Sequence, residues 1–501
     1  MRKIISIILC ILMVASFAAC QNTDKPITPG TDSPTVTTTP TNPTHEGTAP
    51  KDGIIKGSGS GSNGTGAYFG DVPDGGIMYE VAPSGREGAV AKSDSIRPWT
   101  GEGDQTIYKA GTLTGAEQQD TFDIEKWLDY FKKGQDESSW KTSLEERGFY
   151  GQNAVVVELA NQGAAICNAK LQMLDSDKNV ISEAITDIFG RAVLYVPAEN
   201  MPKNVSITAN GVNVIPNMDP SARHLVVSDG DYVSKDTKAL DLMFMIDTTG
   251  SMGDELRYIQ EELVDVVNRV AASGETFSIR VSVNFYRDET DEYVVKYYDF
   301  RDAVEEMANL IKTEHSEGGG DFPEAVHKAL ENIIDHEWRE DAIKLCFLVL
   351  DAPPHTESEV QGVNASLRKS INEMMQKGIK LIPVVASGID KDTEYLLRTF
   401  AVLTNGTYIF LTDDSGIGNS HETPDLEDWT VEPLNECLIR VICKFCGLEY
   451  KAPEKQEQQS TDTEPTPATE PITYEDETEP VSEPDETTGA ETVLNGETTA
   501  A

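Results

Sequence analysis

The spacing of apolar and polar residues changes character along the chain. Between Ala154 and Ser228, short apolar stretches recur: AVVVEL (154–159), AKLQML (169–174), VISEAIT (180–186), RAVLYVP (191–197), VSITA (205–209) and HLVVS (224–228). Turn-forming clusters such as Asp175–Asn179 and Asn210-Gly211 separate them. Short runs punctuated by Asn, Asp and Gly predict strands joined by tight turns. Six of them in succession predict a small all-β sandwich over 151–228. From 238 to 449 the pattern lengthens. ALDLMFMID (239–247) and AIKLCFLVLD (342–351) are nearly unbroken apolar runs, as strands buried on both faces require. Between them, Leu256, Ile259, Leu263, Val266, Val267 and Val270 share one face of a helix. Further strands are expected within 277–288, 293–300, 379–387 and 407–412. Helices are expected within 301–313, 323–338, 364–378 and 434–446, with one more between 387 and 407. Strand and helix alternate, so the fold class is α/β: a doubly wound, mostly parallel sheet preceded by the β-sandwich.

The two ends have no such pattern. Residues 20–63 are rich in Thr, Pro, Gly and Ser, and residues 452–501 are acidic with repeated Thr-Glu-Pro. Neither carries enough apolar surface to fold, so both are expected to be disordered, the first acting as a tether. Residues 64–150 form a poorly defined region, apart from an aromatic-bearing helix expected around Trp127, Leu128, Tyr130 and Phe131. The formal net charge of −44 disfavours nucleic acid and anionic membrane surfaces and favours divalent cations or basic partners. Cys346 reads as a small buried hydrophobe. Cys437, Cys443 and Cys446 fall on a helical pattern with no second ligand pair for zinc; plain thiols are expected there, a disulfide being the alternative.

Chemistry concentrates at three expected loops on the carboxyl edge of the sheet, where sites of such folds collect. The first is Asp247-Thr-Thr-Gly-Ser251. The second is Gly318-Gly-Gly-Asp321. The third begins at Asp351. If the strands ending at Asp247 and Asp351 are neighbours, their carboxylates converge, and adjacent anions need a proton or a cation between them. The hydroxyls of Thr249 and Ser251 add neutral oxygen donors. An oxygen-only set suits Mg²⁺, or Mn²⁺ or Ca²⁺. Asp254 and Glu255 read as first-turn acids favoured by the helix dipole, and His355 as a loop residue. GxSxG, HExxH and Walker A motifs are absent from the sequence, so the chain is expected not to be an enzyme.

Asp247-x-Thr249-x-Ser251, the glycine-rich second loop and Asp351, in that order, resemble the metal-ion-dependent adhesion site of von Willebrand factor type A domains. The resemblance spans 238–449. It implies that Thr249 and Ser251 bind the metal directly, that Asp247 and Asp351 bind directly or through water, and that a partner's acidic side chain completes the coordination. Many members have a threonine in the second loop; here Gly320 stands at that position, and Asp321 is the expected substitute. AITDIFGRAVLYVP (184–197) resembles the carboxypeptidase-regulatory-like β-domain, which implies a structural role. Residues 1–19 followed by Cys20 resemble a bacterial lipoprotein signal, implying a lipidated Cys20 at the outer face of the cytoplasmic membrane. The expected function is a cell-surface, metal-dependent protein-binding or adhesion module, contacting membrane only through the lipid. An envelope scaffold binding a partner of the same cell is the alternative, and a metal-assisted hydrolase a more distant one.

Overall fold

In the computed structural model, residues 52–56, 108–133, 139–228, 237–272, 277–320, 322–422, 424 and 429–452 are described. The expectations for the lipoprotein signal, Cys20, most of the tether, the acidic tail and Asp321 lie outside these residues. Contacts divide the chain into two units, Met1–Tyr450 and Lys451–Ala501. Every described strand and helix belongs to the first unit.

Two long apolar runs form the centre of the main sheet. Strand β11 (Ala239–Asp247) pairs in parallel with β14 (Ala342–Leu350) on one side and with β12 (Ser278–Tyr286) on the other. Every residue of β11 and β14 is buried. Their side chains alternate between two cores. Met243 and Met245 enter one, and Leu242, Phe244 and Ile246 the other. This is why the runs show no polar alternation. Strands β15 (Ile379–Val385) and β16 (Tyr408–Leu411) continue the parallel centre.

Five central strands, β12, β11, β14, β15 and β16, are parallel, and antiparallel strands added at both edges make the whole sheet mixed. Strand β13 (Val295–Tyr298) returns antiparallel to β12 through a short connection, and β1 (Asp52–Ile55) pairs antiparallel beyond it. At the opposite edge, β2 (Thr114–Gln118) runs antiparallel to β16, and β17 (Glu432–Pro433) closes the order β1-β13-β12-β11-β14-β15-β16-β2-β17 among the described residues. The antiparallel strands come from a hairpin and from segments distant in sequence, which periodicity cannot place.

Helices cover both faces. On one lie α3 (Leu256–Ala272), α4 (Val304–Thr313) and α8 (Leu434–Phe445). On the other lie α5 (Val326–Asp335), α6 (Val363–Lys377) and α7 (Lys391–Leu403). Helices α1 (Ile124–Lys133) and α2 (Ser139–Glu146) join this second face through Trp127, Phe131 and Trp140, the last stacked on Tyr395 of α7 with centroids 3.8 Å apart.

The β-rich region forms two further sheets. One contains β3 (Ala154–Asn161), β4 (Ala164–Ala165), β7 (Arg191–Tyr195) and β10 (His224–Val227). The other contains β5 (Lys170–Leu174), β6 (Val180–Ile185), β8 (Val205–Ala209) and β9 (Val212–Met218). Val155, Val157, Leu171 and Ile207 share one hydrophobic cluster with α6 and α7, so this region packs directly on the α/β layer. Among the described residues Cys346, Cys437, Cys443 and Cys446 are free thiols. Among the described residues no helix is long and apolar enough to cross a membrane.

Candidate functional site at the carboxyl edge of the sheet

Register decides which loops meet. Ile246 pairs with Val349, so Asp247 and Asp351 fall just beyond the last paired positions of adjacent parallel strands. Asp247 is fully buried and Asp351 nearly so. Beyond Asp247 the chain turns through a short 3-10 segment, Gly250–Asp254, into α3. The Thr249 backbone N–H and hydroxyl donate to Asp247 Oδ1 at 2.9 and 2.7 Å, and Thr249 Oγ1 lies 3.2 Å from Ser251 Oγ. The three residues singled out in the first loop thus form one cluster.

The second loop is fastened to the first by backbone. Glu317 N–H donates to Thr248 O and Gly250 N–H to Gly318 O, at 3.0 and 3.1 Å. Gly318 and Gly319 have φ of +85° and +73°, the left-handed region where a Cβ is strained. Gly318 also has no room for one. The Asp291 carboxyl occupies that space and accepts from Gly319 N–H at 2.9 Å. Asp291 and Asp288, from the loop between β12 and β13, are site residues that motif spacing does not single out.

The third loop is held from three sides. Asp288 Oδ1 lies 2.7 Å from His355 Nε2. Glu324 N–H donates to Pro353 O at 2.9 Å. Arg147, buried just after α2, donates to His355 O and Pro354 O at 2.8 and 3.1 Å. His355, expected as a loop residue, is a buried partner of Asp288. Asp254 and Glu255, read as first-turn acids, are engaged by the 413–422 segment. Asn419 Nδ2 donates to Asp254, and His421 Nε2 lies 3.0 Å from Glu255 Oε1 in an ion pair.

The electrostatics of the cleft are unusual. Asp247 Oδ2, Asp351 Oδ1 and Glu324 Oε2 are buried and have no well-aligned hydrogen-bond partner among the described residues. Burial, only partly offset by the bonds from Thr249, pushes the Asp247 carboxyl above the ordinary range. Burial and then the Asp247 charge do the same to Asp351. Glu324 is pushed up to about 10 by burial and then by the charges of Asp247, Asp288 and Asp351. The Tyr286 hydroxyl is held far above its usual value by burial and the nearby Asp247, so it stays neutral. Ser251, Gly320, Glu324 and Asp351 line a cleft of about 530 Å³ that opens at this edge, with Phe322 at its rim half exposed.

Among the described residues no group of three or more His, Cys, Asp or Glu side chains is gathered tightly enough to hold a metal on its own. The donor set here differs in kind. It offers two buried carboxylates with free oxygens and two hydroxyls, which suits a hard divalent cation needing only a few protein oxygens. Two buried acids facing each other are relieved by a proton or by a cation between them.

A family comparison covers the elements that build this cleft. Residues 241–422 match the von Willebrand factor type A domain. The chain carries such a domain. Its matched span begins within β11 and ends in the segment that engages Glu255. Two curated relatives match parts of the chain. One is the putative ariadne-like RING finger protein R811 of Acanthamoeba polyphaga mimivirus, 29% identical over 122 residues, which are 24% of this chain and 12% of that protein. The other is the alpha-protein kinase vwkA of Dictyostelium discoideum, 23% identical over 120 residues, which are 24% of this chain and 19% of the kinase. The chain therefore spans less than a fifth of either relative.

Proposed function

We propose that the von Willebrand factor type A domain of this chain is a divalent-cation-dependent protein-binding module. The observation that carries the reading is the meeting of Asp247 and Asp351, each with a buried oxygen lacking a well-aligned hydrogen-bond partner, beside the hydroxyls of Thr249 and Ser251. Domains of this family often bind divalent metals at a site of this composition. Mg²⁺, Mn²⁺ or Ca²⁺ held there by Asp247, Thr249, Ser251 and Asp351 would supply Lewis acidity toward a ligand oxygen. The chain's own part is to bury the carboxylates, aim the hydroxyls and keep the cleft open to a partner's acidic side chain. Asp321 remains a candidate contributor from the second loop. The role proposed is binding rather than catalysis.

We further propose that the module is displayed at a bacterial cell surface through a lipid on Cys20, as an adhesin or as a scaffold for a partner of the same cell. The sequence of residues 1–20 and the polar tether support this. The test is capture of proteins from intact cells and from host matrix on the immobilised chain, in Mg²⁺ and in EDTA, with Asp247→Asn as control. Capture that needs Mg²⁺ and Asp247 supports the reading. Capture indifferent to both contradicts it.

A further inference from the structure

The second loop offers Gly320 where a hydroxyl is common in this family. Among the described residues, its chain neighbours apart, no heavy atom lies within 4 Å of the position a Gly320 Cβ would take, so that point of the loop faces open space. A few residues on, Glu324 behaves unlike every other buried glutamate described. Glu262 accepts three backbone N–H groups, from Gly111, Thr112 and Leu113. Glu394 pairs with Arg398, Glu436 with Arg269, and Glu255 with His421. Glu324, only 2% exposed, makes no ion pair among the described residues; its Oε2, like Glu255 Oε1, has no hydrogen-bond partner there, but Glu255 has His421 and the Ser387 N–H and Glu324 has no such neighbour. A buried carboxylate without a partner is costly, and such a group usually marks a place that a ligand or ion completes.

Its position fits that role. A methyl group at Gly319 would lie 3.0 Å from Glu324 Oε1 and 3.5 Å from Thr249 Cβ, so the Glu324 carboxyl and the Thr249 side chain flank one small gap. The Glu324 backbone is bonded to Pro353 and bridged to Pro354, which fixes it beside the loop that begins at Asp351. The side chain lines the same cleft as Ser251 and Asp351.

We propose that Glu324 takes the role of the absent second-loop hydroxyl through water, beside a cation held by Asp247, Asp351 and the hydroxyls of Thr249 and Ser251, because the three acids are not gathered tightly enough to grip one ion together. The assignment rests on the cation-binding reading above. An added carboxylate raises cation affinity, and Glu324 does this without any side chain at Gly320. Asp321 is then dispensable for the cation.

The test is calorimetric titration of the chelator-stripped chain with MgCl₂, MnCl₂ and CaCl₂ separately, for the wild type and for D247N, E324Q, D321N and the double variant E324Q/G320T. Melting in EDTA checks that each variant is folded. Glu324→Gln is expected to weaken the tightest-bound cation about tenfold or more. Asp321→Asn is expected to change it less than about threefold. Gly320→Thr added to E324Q restores most of the loss, because its side chain has room. An E324Q affinity within about twofold of wild type, with D247N binding abolished, overturns this assignment and leaves the cation site standing. No binding by the wild type to any of the three cations overturns both.

Discussion

Asp241 and Asp247 lie on the same strand, both fully buried, and their surroundings are opposite. Around Asp241 every need of a buried carboxylate is met. Arg280 approaches through Nε and Nη2 at 3.0 and 2.7 Å, and Arg339 contributes its Nε and its backbone N–H at 2.8 Å each. Asp247 receives two bonds from Thr249, both to Oδ1, and faces Asp351 and Glu324 instead of arginines. Burial alone therefore does not mark function. The balance of partners separates a structural acid from one that awaits a cation.

The comparison can be broken first at its structural end. Asp241→Ala leaves Arg280 and Arg339 without their shared anion, and removing one member of a buried charge network costs about 3–5 kcal/mol. The melting temperature is expected to fall by the same amount with or without Mg²⁺; a loss that Mg²⁺ rescues would blur the distinction. Next comes Asp351→Asn. In EDTA this removes a repulsion, so stability is expected to hold or to rise by up to ~1–2 kcal/mol, read by chemical denaturation. A clear loss of stability would show that Asp351 is already satisfied without a cation. Arg147→Ala is expected to lower Mg²⁺ affinity, because it frees the carbonyls of Pro354 and His355, at a stability cost of ~1–3 kcal/mol. Calorimetry beside melting separates the two effects, and an unchanged affinity would make Arg147 a packing residue only.

The smallest effect concerns the acid near the cleft that does have a partner. Burial lowers the His421 pKa, but its contacts with Glu255 and Asp413 outweigh that and raise it above the usual imidazole value. A raised folded-state value means a stabilising contribution fully present below the unfolded pKa, about 6.5, and lost as pH rises through the folded value. His421→Gln is therefore expected to destabilise more at pH ~6 than at pH ~9, as melting at the two pH values would reveal. Equal losses at both would mean that the ion pair contributes nothing to stability.

Much of the sheet's parallel centre could be read directly, because β11 and β14 are continuous apolar runs ending in aspartates. Asp247, Thr249, Ser251 and Asp351 followed from those strand ends. The edges could not be read. TGAEQ of β2 has little apolar content and is a strand only because β16 and β17 pair with it. DGII of β1 is short and largely exposed. Glu324 fell inside an expected helix, where an acid near the first turn is unremarkable. Its lack of partners is visible only in three dimensions, as is the reach of Arg147 to the third loop. The strands of 154–228 were legible from turn residues, whereas β4 and β9 were not. The former is only two residues long, and Pro216 interrupts the latter.

The central claim is that Asp247, whose Oδ2 has no well-aligned hydrogen-bond partner among the described residues, marks a cation site. Thermal melting of the wild type and of Asp247→Asn, each in EDTA and in excess Mg²⁺, tests it most directly. At ~100-fold excess over the dissociation constant, Mg²⁺ is expected to add about 2.7 kcal/mol to the wild type. It should add nothing to D247N, which in EDTA should melt no lower than the wild type. An equal Mg²⁺ shift in both proteins, or none in the wild type, would contradict the claim.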